Sequence, residues 1–593
     1  MSGLVEMRSS LDQVHQKVLL VYGQIGEPSE KVLDGTLTVC HHQDNFPATM
    51  WPVSDSHFKA LVHLTPGPNR LRFDFASPKV VSNNSSSHSS WININFLPLI
   101  SAPPLQLVIL AGKDSPCTFD AVPERRQREG NDLEIAIRKF RMAAYLWQAF
   151  TGEQMYRSGF GRRCFRFEEE WHTGSLTFRD QEAGQMRNEA KVHVIRSNKT
   201  VEQLRDLDVA QQSDHGARKG ELYNYAMEAV KGYFKPVPGQ KHYISLLLLD
   251  AHWDTNAKTI TGHAALGGGF GEIQLAIFGS HALQSYPTSI EEVVPAFSDC
   301  TRTNTNSVAN DCNESGSNWE AANIGIGGHL HETGHLFGCP HQESGVMLRD
   351  YVRFSRTFLC RESYSTRTKS PGMRLVLAND ECGWHRLDTL RFKYHPCFRL
   401  PTDAPLNPDE SIQVWPADNA TAIVTASTGI AFVEIYANGD ETCRAWLEYS
   451  NGNVQSGGPP RQIALTESDL KARLPDGTKA KKLSIKVHSA GQGSQEVEDF
   501  AQLVKSKAYT VKLPNGQAGF IGRKLGQSDQ EGSQPQQVIL EYAYIQTKLL
   551  TSIKVYHGFA LDGLEFLYED STSQLFGKRG GQPGGSEFML GMS

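Results

Sequence analysis

Apolar positions in the first hundred residues come in short runs, alternating or continuous, at 18–22, 35–40, 58–64 and 71–75. Turn-forming stretches such as Gly26-Glu27-Pro28 and Pro66-Gly67-Pro68-Asn69 separate them, which predicts several short strands in a small β-sandwich-like module. A polar loop at 83–90 and one more apolar run at 105–110 close this part of the chain. The period then changes. Leu133, Ile137, Phe140, Ala144 and Trp147 fall at helical spacing, with Asn131-Asp132 as the cap before them and Gly152 as the expected stop. A second helix is predicted over 221–234 and a buried strand over 243–249, where a single serine interrupts the apolar run. After Pro396 and Pro401 the alternation returns, most cleanly in Leu483-Ser484-Ile485-Lys486-Val487. It predicts a second β-rich module over 409–520, followed by a polar linker at 526–537.

Between the two β-rich parts a helix is predicted over 319–338. It carries the one stretch whose spacing implies chemistry, His331-Glu332-Thr333-Gly334-His335-Leu336-Phe337-Gly338-Cys339-Pro340-His341. Residues four apart sit one turn above each other on a helix, so His331 and His335 share a face and can bind one Zn²⁺ together. Glu332 projects beside that metal rather than onto it. Gly338 can take the left-handed conformation that ends a helix, and the resulting turn would return His341 as a third ligand. Three protein ligands leave one coordination position open, which separates a catalytic zinc site from a closed structural one. His329, two residues before His331, points to the other side. Gly325, Gly327 and Gly328 are expected to weaken the first turns of the helix. Cys339 is either a soft donor near the metal or a small buried residue beside the turn. Asp250, His252, Asp254 and His263 have no spacing that would converge them and are expected in a loop of solvated polar groups.

Composition narrows the partners. With 593 residues and 39% hydrophobic content the chain can bury more than one core. A net charge of -6 without a long basic run argues against a nucleic-acid surface. No run approaches the ~20 apolar residues of a membrane span. Residues 1–18 lack a cationic start followed by an apolar core, so no secretory signal is expected. The protein is therefore expected in the cytoplasm, with its ten cysteines reduced. No Cys-x-x-Cys pair is present, and a second zinc site built from thiolates is not expected. The N-terminal module is either a platform for substrate or partner or a packing support.

The histidine motif resembles that of the metzincin metallopeptidases, His-Glu-x-x-His-x-x-Gly-x-x-His followed by a methionine turn. The resemblance implies that Ser344-Gly345-Val346-Met347 is that turn, with Met347 beneath the metal. It also implies that the glycine-rich 267–271 and the following 272–278 correspond to the edge strand on which metzincins lay an extended substrate. From the residues alone, the glycines serve a loop equally well. Tyr351 lacks the offset of the tyrosine that some metzincins use and stays outside the expected site. The tail, from Ile553-Lys554-Val555 through Leu564-Glu565-Phe566 to Gly580-Gly581-Gln582-Pro583-Gly584-Gly585, resembles the opening of a jacalin-type lectin domain, which is a β-prism. That resemblance implies carbohydrate as a partner of the tail. Only the first strands of such a module are expected, and no sugar-binding residue carries over. In its order of parts the chain resembles a fungal family of zinc metallopeptidases that join a metzincin-like domain to a C-terminal jacalin-like module.

The expectation is an α+β multidomain protein. It would have a β-sandwich-like domain at 1–111, a metzincin-like zinc metallopeptidase domain at 112–400, a second β-rich domain at 401–525 and a partial jacalin-like module at 538–593. His331, His335 and His341 would hold Zn²⁺, which polarises a scissile carbonyl and lowers the pKa of water toward ~7. Glu332 would be the general base in hydrolysis of a polypeptide. The alternative is a glycan- or protein-binding scaffold with a structural zinc. An intact Glu332 speaks against it, since a structural site needs no base.

Overall fold

The computed structural model describes the chain except residues 1–11, 27–31, 43–45, 79–87, 215, 404–410, 418–419, 450–457, 479, 507–509, 513–515, 517, 521–537, 539–547, 559–560, 581–584 and 590–593. The polar loop expected at 83–90 falls mostly, and the linker expected at 526–537 wholly, outside the described residues. The architecture is mixed α+β, in two compact units, Met1–Asn407 and Pro408–Ser593.

The first unit opens with β1 (Asp12–Val14), β2 (Val18–Gln24), β3 (Gly35–His41), β4 (Thr49–Ser54), β5 (His57–His63), β6 (Gly67–Ala76) and β7 (His88–Phe96). They pair as one seven-stranded ladder in the order β1-β7-β6-β3-β4-β5-β2. The four apolar runs became β2, β3, β5 and β6. In β7 the inward Ile94 and Phe96 alternate with the exposed Asn93 and Asn95. Asparagine is a poor strand former, which hid this strand behind the polar stretch before it.

The run at 105–110 does not close that module. It is β8 (Pro104–Ala111), inside a second sheet with β9 (Arg166–Phe167), β10 (Val192–Arg196), β11 (His242–Leu248), β12 (Leu266–Phe270) and β13 (Ile273–Gly279). The order is β10-β8-β11-β13-β12, with β9 beside the start of β8. All pairings are parallel except that of β12, which runs antiparallel to β13 at the edge. Parallel strands are covered on both faces, and this is why 244–249 reads as an almost unbroken apolar run.

Three helices supply the cover: α1 (Leu133–Arg157), α2 (Glu221–Phe234) and α3 (Asn318–Leu336). Ile244, Leu246 and Leu248 of β11 share a core with Leu222, Ala226 and Val230 of α2. Successive strand residues point to opposite faces, so Ser245 points the other way. Its Oγ lies 3.0 Å from both His329 Nε2 and Thr333 Oγ1 of α3. The serine that breaks the apolar run is thus a polar tie between the sheet centre and the histidine helix. On the same side Trp147 Nε1 of α1 donates to Ile326 O of α3 at 2.9 Å.

Two glycine expectations need correction. Asp132 does cap α1, its side chain accepting from Ile135 N at 3.0 Å, but the helix runs straight through Gly152. A Cβ there would lie 2.7 Å from the Gln16 amide, so this glycine permits close approach of the N-terminal segment rather than stopping the helix. Nor does α3 start late. A Cβ on Gly327 would meet Tyr351 Cβ at 2.7 Å. Packing this close offsets the poor helix propensity of glycine, because tertiary packing supplies most helical stability.

In the second unit, antiparallel ladders of Gln413–Ala417, Thr421–Thr425 and Gln462–Thr466, and of Ala445–Glu448, Ile430–Ala437, Leu483–Ser489 and Ser494–Val497, share one core. That core includes Val424, Val433, Ile485 and Phe500. A further antiparallel sheet joins Ser573–Gly577, Leu561–Tyr568, Leu550–His557 and Ser586–Met589 in that order.

The position of α3 against the sheet edge is set at Gly267 in β12. A Cβ there would lie 2.2 Å from Glu332 O and 2.7 Å from His335 Cβ. Gly267→Ala is therefore expected to push β12 away from α3 and to lower stability by about 1–3 kcal/mol, the usual cost of overpacking. Denaturant titration of both proteins checks this. An unchanged midpoint would show that strand and helix do not depend on the missing side chain.

Candidate metal centre

The helix ends at Leu336, and Gly338 has φ +86°, the left-handed conformation that a turn here requires. Gly338 N donates to His335 O at 2.9 Å and Cys339 N to Gly334 O at 3.0 Å, which closes the turn. The chain doubles back and brings His341 to the two helical histidines. One ligand nitrogen from each ring lies within 4.8 Å of the others. The ring centroids are 4.8 Å (His331–His335), 5.4 Å (His331–His341) and 4.9 Å (His335–His341) apart.

Backbone carbonyls fix two of the rings. His331 Nδ1–H donates to Val346 O and His335 Nδ1–H to Cys339 O, both at 2.8 Å. A carbonyl only accepts, so Nδ1 carries the proton and Nε2 keeps its lone pair for a metal. Burial pushes the His331 pKa down to about 4 and lowers that of His335 as well, so both rings are neutral at pH 7, the form that ligates. Neutral imidazoles with their Nε2 lone pairs free fit Zn²⁺ and leave a fourth position open. Glu332 is 7% exposed and accepts no hydrogen bond among the described residues. Burial alone raises its pKa to about 8, and a divalent cation beside it would act in the opposite sense.

The segment after His341 supports the triad from below. Gly345 has φ +79°, Val346 N donates to Gly383 O at 2.9 Å, and the Val346 carbonyl is the one that holds His331. Met347 is buried, and its sulfur occupies the space where a Cβ on Gly334 would reach, at 2.6 Å. The turn at Cys339 rests on α4 (Arg386–Tyr394). There Asp388, fully buried, accepts from the Cys339 thiol and, at 3.3 Å, from Gln342 Nε2. Burial raises the Asp388 pKa to about 7. Cys339 is thus the small buried residue beside the turn, and among the described residues only the three histidines converge as donors.

The group Asp250, His252, Asp254 and His263 is not a solvated loop throughout. Asp250 is buried, accepting from Gly112 N at 2.7 Å and Ser115 Oγ at 2.5 Å, and buried His263 accepts from Gly279 N at 3.0 Å. These residues tie loops at the carboxyl ends of the central strands. They do not converge on a metal.

Two residues beside the metal site stood outside the expected site, Tyr351 set aside for its offset and Arg349 not singled out. Tyr351 packs its ring edge-on against His331, with centroids 5.7 Å apart. Its oxygen accepts from Arg349 Nε at 3.1 Å. The only signal was their closeness to Met347, and no periodicity marks a residue placed by irregular backbone. On the other flank β12 is the sheet edge, pairing with β13 alone among the described residues, and Phe270 at its end is 72% exposed.

Over residues 5–431 the chain matches the model of a family described as "Putative peptidase family". A protein of Saccharomyces cerevisiae named "Putative zinc metalloproteinase" is 39% identical over 583 residues, spanning 95% of this chain and 80% of that protein. A Schizosaccharomyces pombe protein with the same description is 35% identical over 575 residues, spanning 97% of this chain and 86% of that one.

Metal analysis should find close to one zinc per chain in the purified protein. His335→Ala is expected to lose nearly all of it, since two imidazoles make a poor site and the carbonyl of Cys339 is left without its donor. Full zinc retention in that variant would contradict the ligand set.

Proposed function

Since the chain belongs to this peptidase family, we propose that it is a zinc-dependent endopeptidase, with His331, His335 and His341 as the ligands and Glu332 as general base. The observation that carries this reading is the pairing of three convergent imidazoles with a carboxylate that nothing else in the described structure engages. A structural zinc site would have no use for such a group.

A zinc ion there supplies Lewis acidity and lowers the pKa of water toward ~7. The chain does the rest. The free edge of β12 takes an extended polypeptide as an added strand, and main-chain hydrogen bonds hold it without reading its sequence. With no side chain on Gly267 to Gly269, that backbone can lie close to α3. Glu332 accepts a proton from the attacking water and returns it to the leaving amine. The Val346 and Cys339 carbonyls keep the rings of His331 and His335 from turning.

With ten cysteines kept as thiols, the chain belongs in a reducing compartment such as the cytoplasm. No helix among the described residues is long and apolar enough to cross a membrane.

Glu332→Gln separates the base from the metal site. The amide is nearly isosteric, and Glu332 is not a ligand, so fold and zinc content should be retained. Turnover of an unfolded protein substrate should fall at least ~10²–10⁴-fold, the usual contribution of a positioned proton-transfer group. Equal cleavage rates at equal zinc occupancy would remove Glu332 from the mechanism.

A further inference from the structure

Arg349 stands at the edge of the metal site, paired with Glu314 and yet largely exposed. Its backbone has φ +75°, ψ +14°, a left-handed conformation uncommon for a long side chain, between two turns of 3-10 helix. The guanidinium is held in two places. Nε donates to Tyr351 Oη at 3.1 Å and Nη2 to Glu314 Oε2 at 3.0 Å. Glu314 in turn follows three consecutive left-handed residues, Asp311, Cys312 and Asn313, with φ of 44°, 57° and 69°. Uncommon backbone on both sides of one ion pair persists only where the surroundings over-determine it, and such positions cluster at binding sites.

The anchor for the ligand is direct. Tyr351, which accepts from Arg349, packs its ring edge-on against His331. Yet the Arg349 side chain is 61% exposed. A guanidinium has five N–H donors, of which two are used here, and Nη1 donates to nothing among the described residues. A planar fork with free donors, fixed beside a catalytic centre, is suited to a carboxylate.

We propose that Arg349 is a specificity-determining residue that binds a carboxylate of the peptide substrate, so that the enzyme prefers peptides carrying a negative group near the scissile bond. The carboxylate comes either from an Asp or Glu side chain or from the free C-terminus of a short peptide. The chemistry is the same, and the test tells the two sources apart. The inference rests on the peptidase reading above and names its substrate class.

Three fluorescent peptides of one sequence decide it: one with Glu near the scissile bond and an amidated C-terminus, one with Gln there and a free C-terminus, and one with Gln and an amide. Binding is read by fluorescence anisotropy on zinc-loaded Glu332→Gln protein, and cleavage by kcat/KM of the wild-type protein. One of the charged peptides should bind about tenfold tighter than the neutral one, and which of them does so identifies the source. Arg349→Gln should abolish the difference and leave neutral-peptide binding and zinc content alone, while Arg349→Lys should keep part of it. On the unaltered protein, added salt should shrink the preference without weakening the neutral peptide. Equal binding of charged and neutral peptides, or a preference that survives Arg349→Gln or high salt, would overturn the assignment. If no peptide of any kind is bound or cleaved, the peptidase reading fails first and takes this inference with it.

Discussion

A helix can present two imidazoles to a metal only if it is kept from turning about its own axis. In this chain α3 is kept in place by close packing at positions where side chains are missing. Gly267 of β12 leaves room for the Glu332 carbonyl and His335 Cβ, Gly327 for Tyr351, and Gly334 for the Met347 sulfur. The helix is thereby gripped on several faces at backbone distance, and the Ser245 hydroxyl adds a polar tie from the centre of the sheet. Side chains interleaved at ordinary distances would leave more freedom to rotate, since rotamers can adjust where a backbone cannot. The poor helix propensity of glycine is the cost of this arrangement, and burial of nearly the whole helix offsets it.

From that grip the chemistry follows by hydrogen-bond polarity. Carbonyls of Val346 and Cys339 each accept a hydrogen bond from Nδ1–H of a histidine, which leaves the Nε2 lone pair free on both rings. Val346 does more than orient His331. Its own N–H donates to Gly383 O, so the carbonyl that meets His331 belongs to a residue held through both its N–H and its C=O. Asp388, beneath the Cys339–Gln342 turn, plays the comparable part for the third histidine by holding the loop that carries it. Neutral rings and a carboxylate without a partner are two sides of the same burial. It keeps protons off His331 and His335 and leaves Glu332 uncompensated.

The local features were legible. Helix α1 carries the residues that periodicity marks, α2 spans the range expected of it, and the three histidines lie within one turn and a reversal of one another, so spacing alone implies their convergence. What escaped depends on partners far away in sequence. β8 reads as the end of the first module because nothing nearby shows that it pairs with β11, more than a hundred residues later. Gly152 reads as a stop because Gln16, which presses on it, lies in another element. Ser245 looks like a flaw in an apolar strand until His329 and Thr333 are placed above it. Tyr351 and Arg349 sit on irregular backbone, whose direction no pattern of apolar and polar residues encodes.

The account stands on three imidazole nitrogens and one open position at a single zinc, and X-ray absorption at the zinc edge of the purified full chain measures that directly. It should show three nitrogen neighbours with imidazole scattering and one further light atom, all at about 2.0–2.2 Å. A sulfur shell at about 2.3 Å, which would bring Cys339 into the coordination sphere, or a closed shell of four protein ligands, would contradict it.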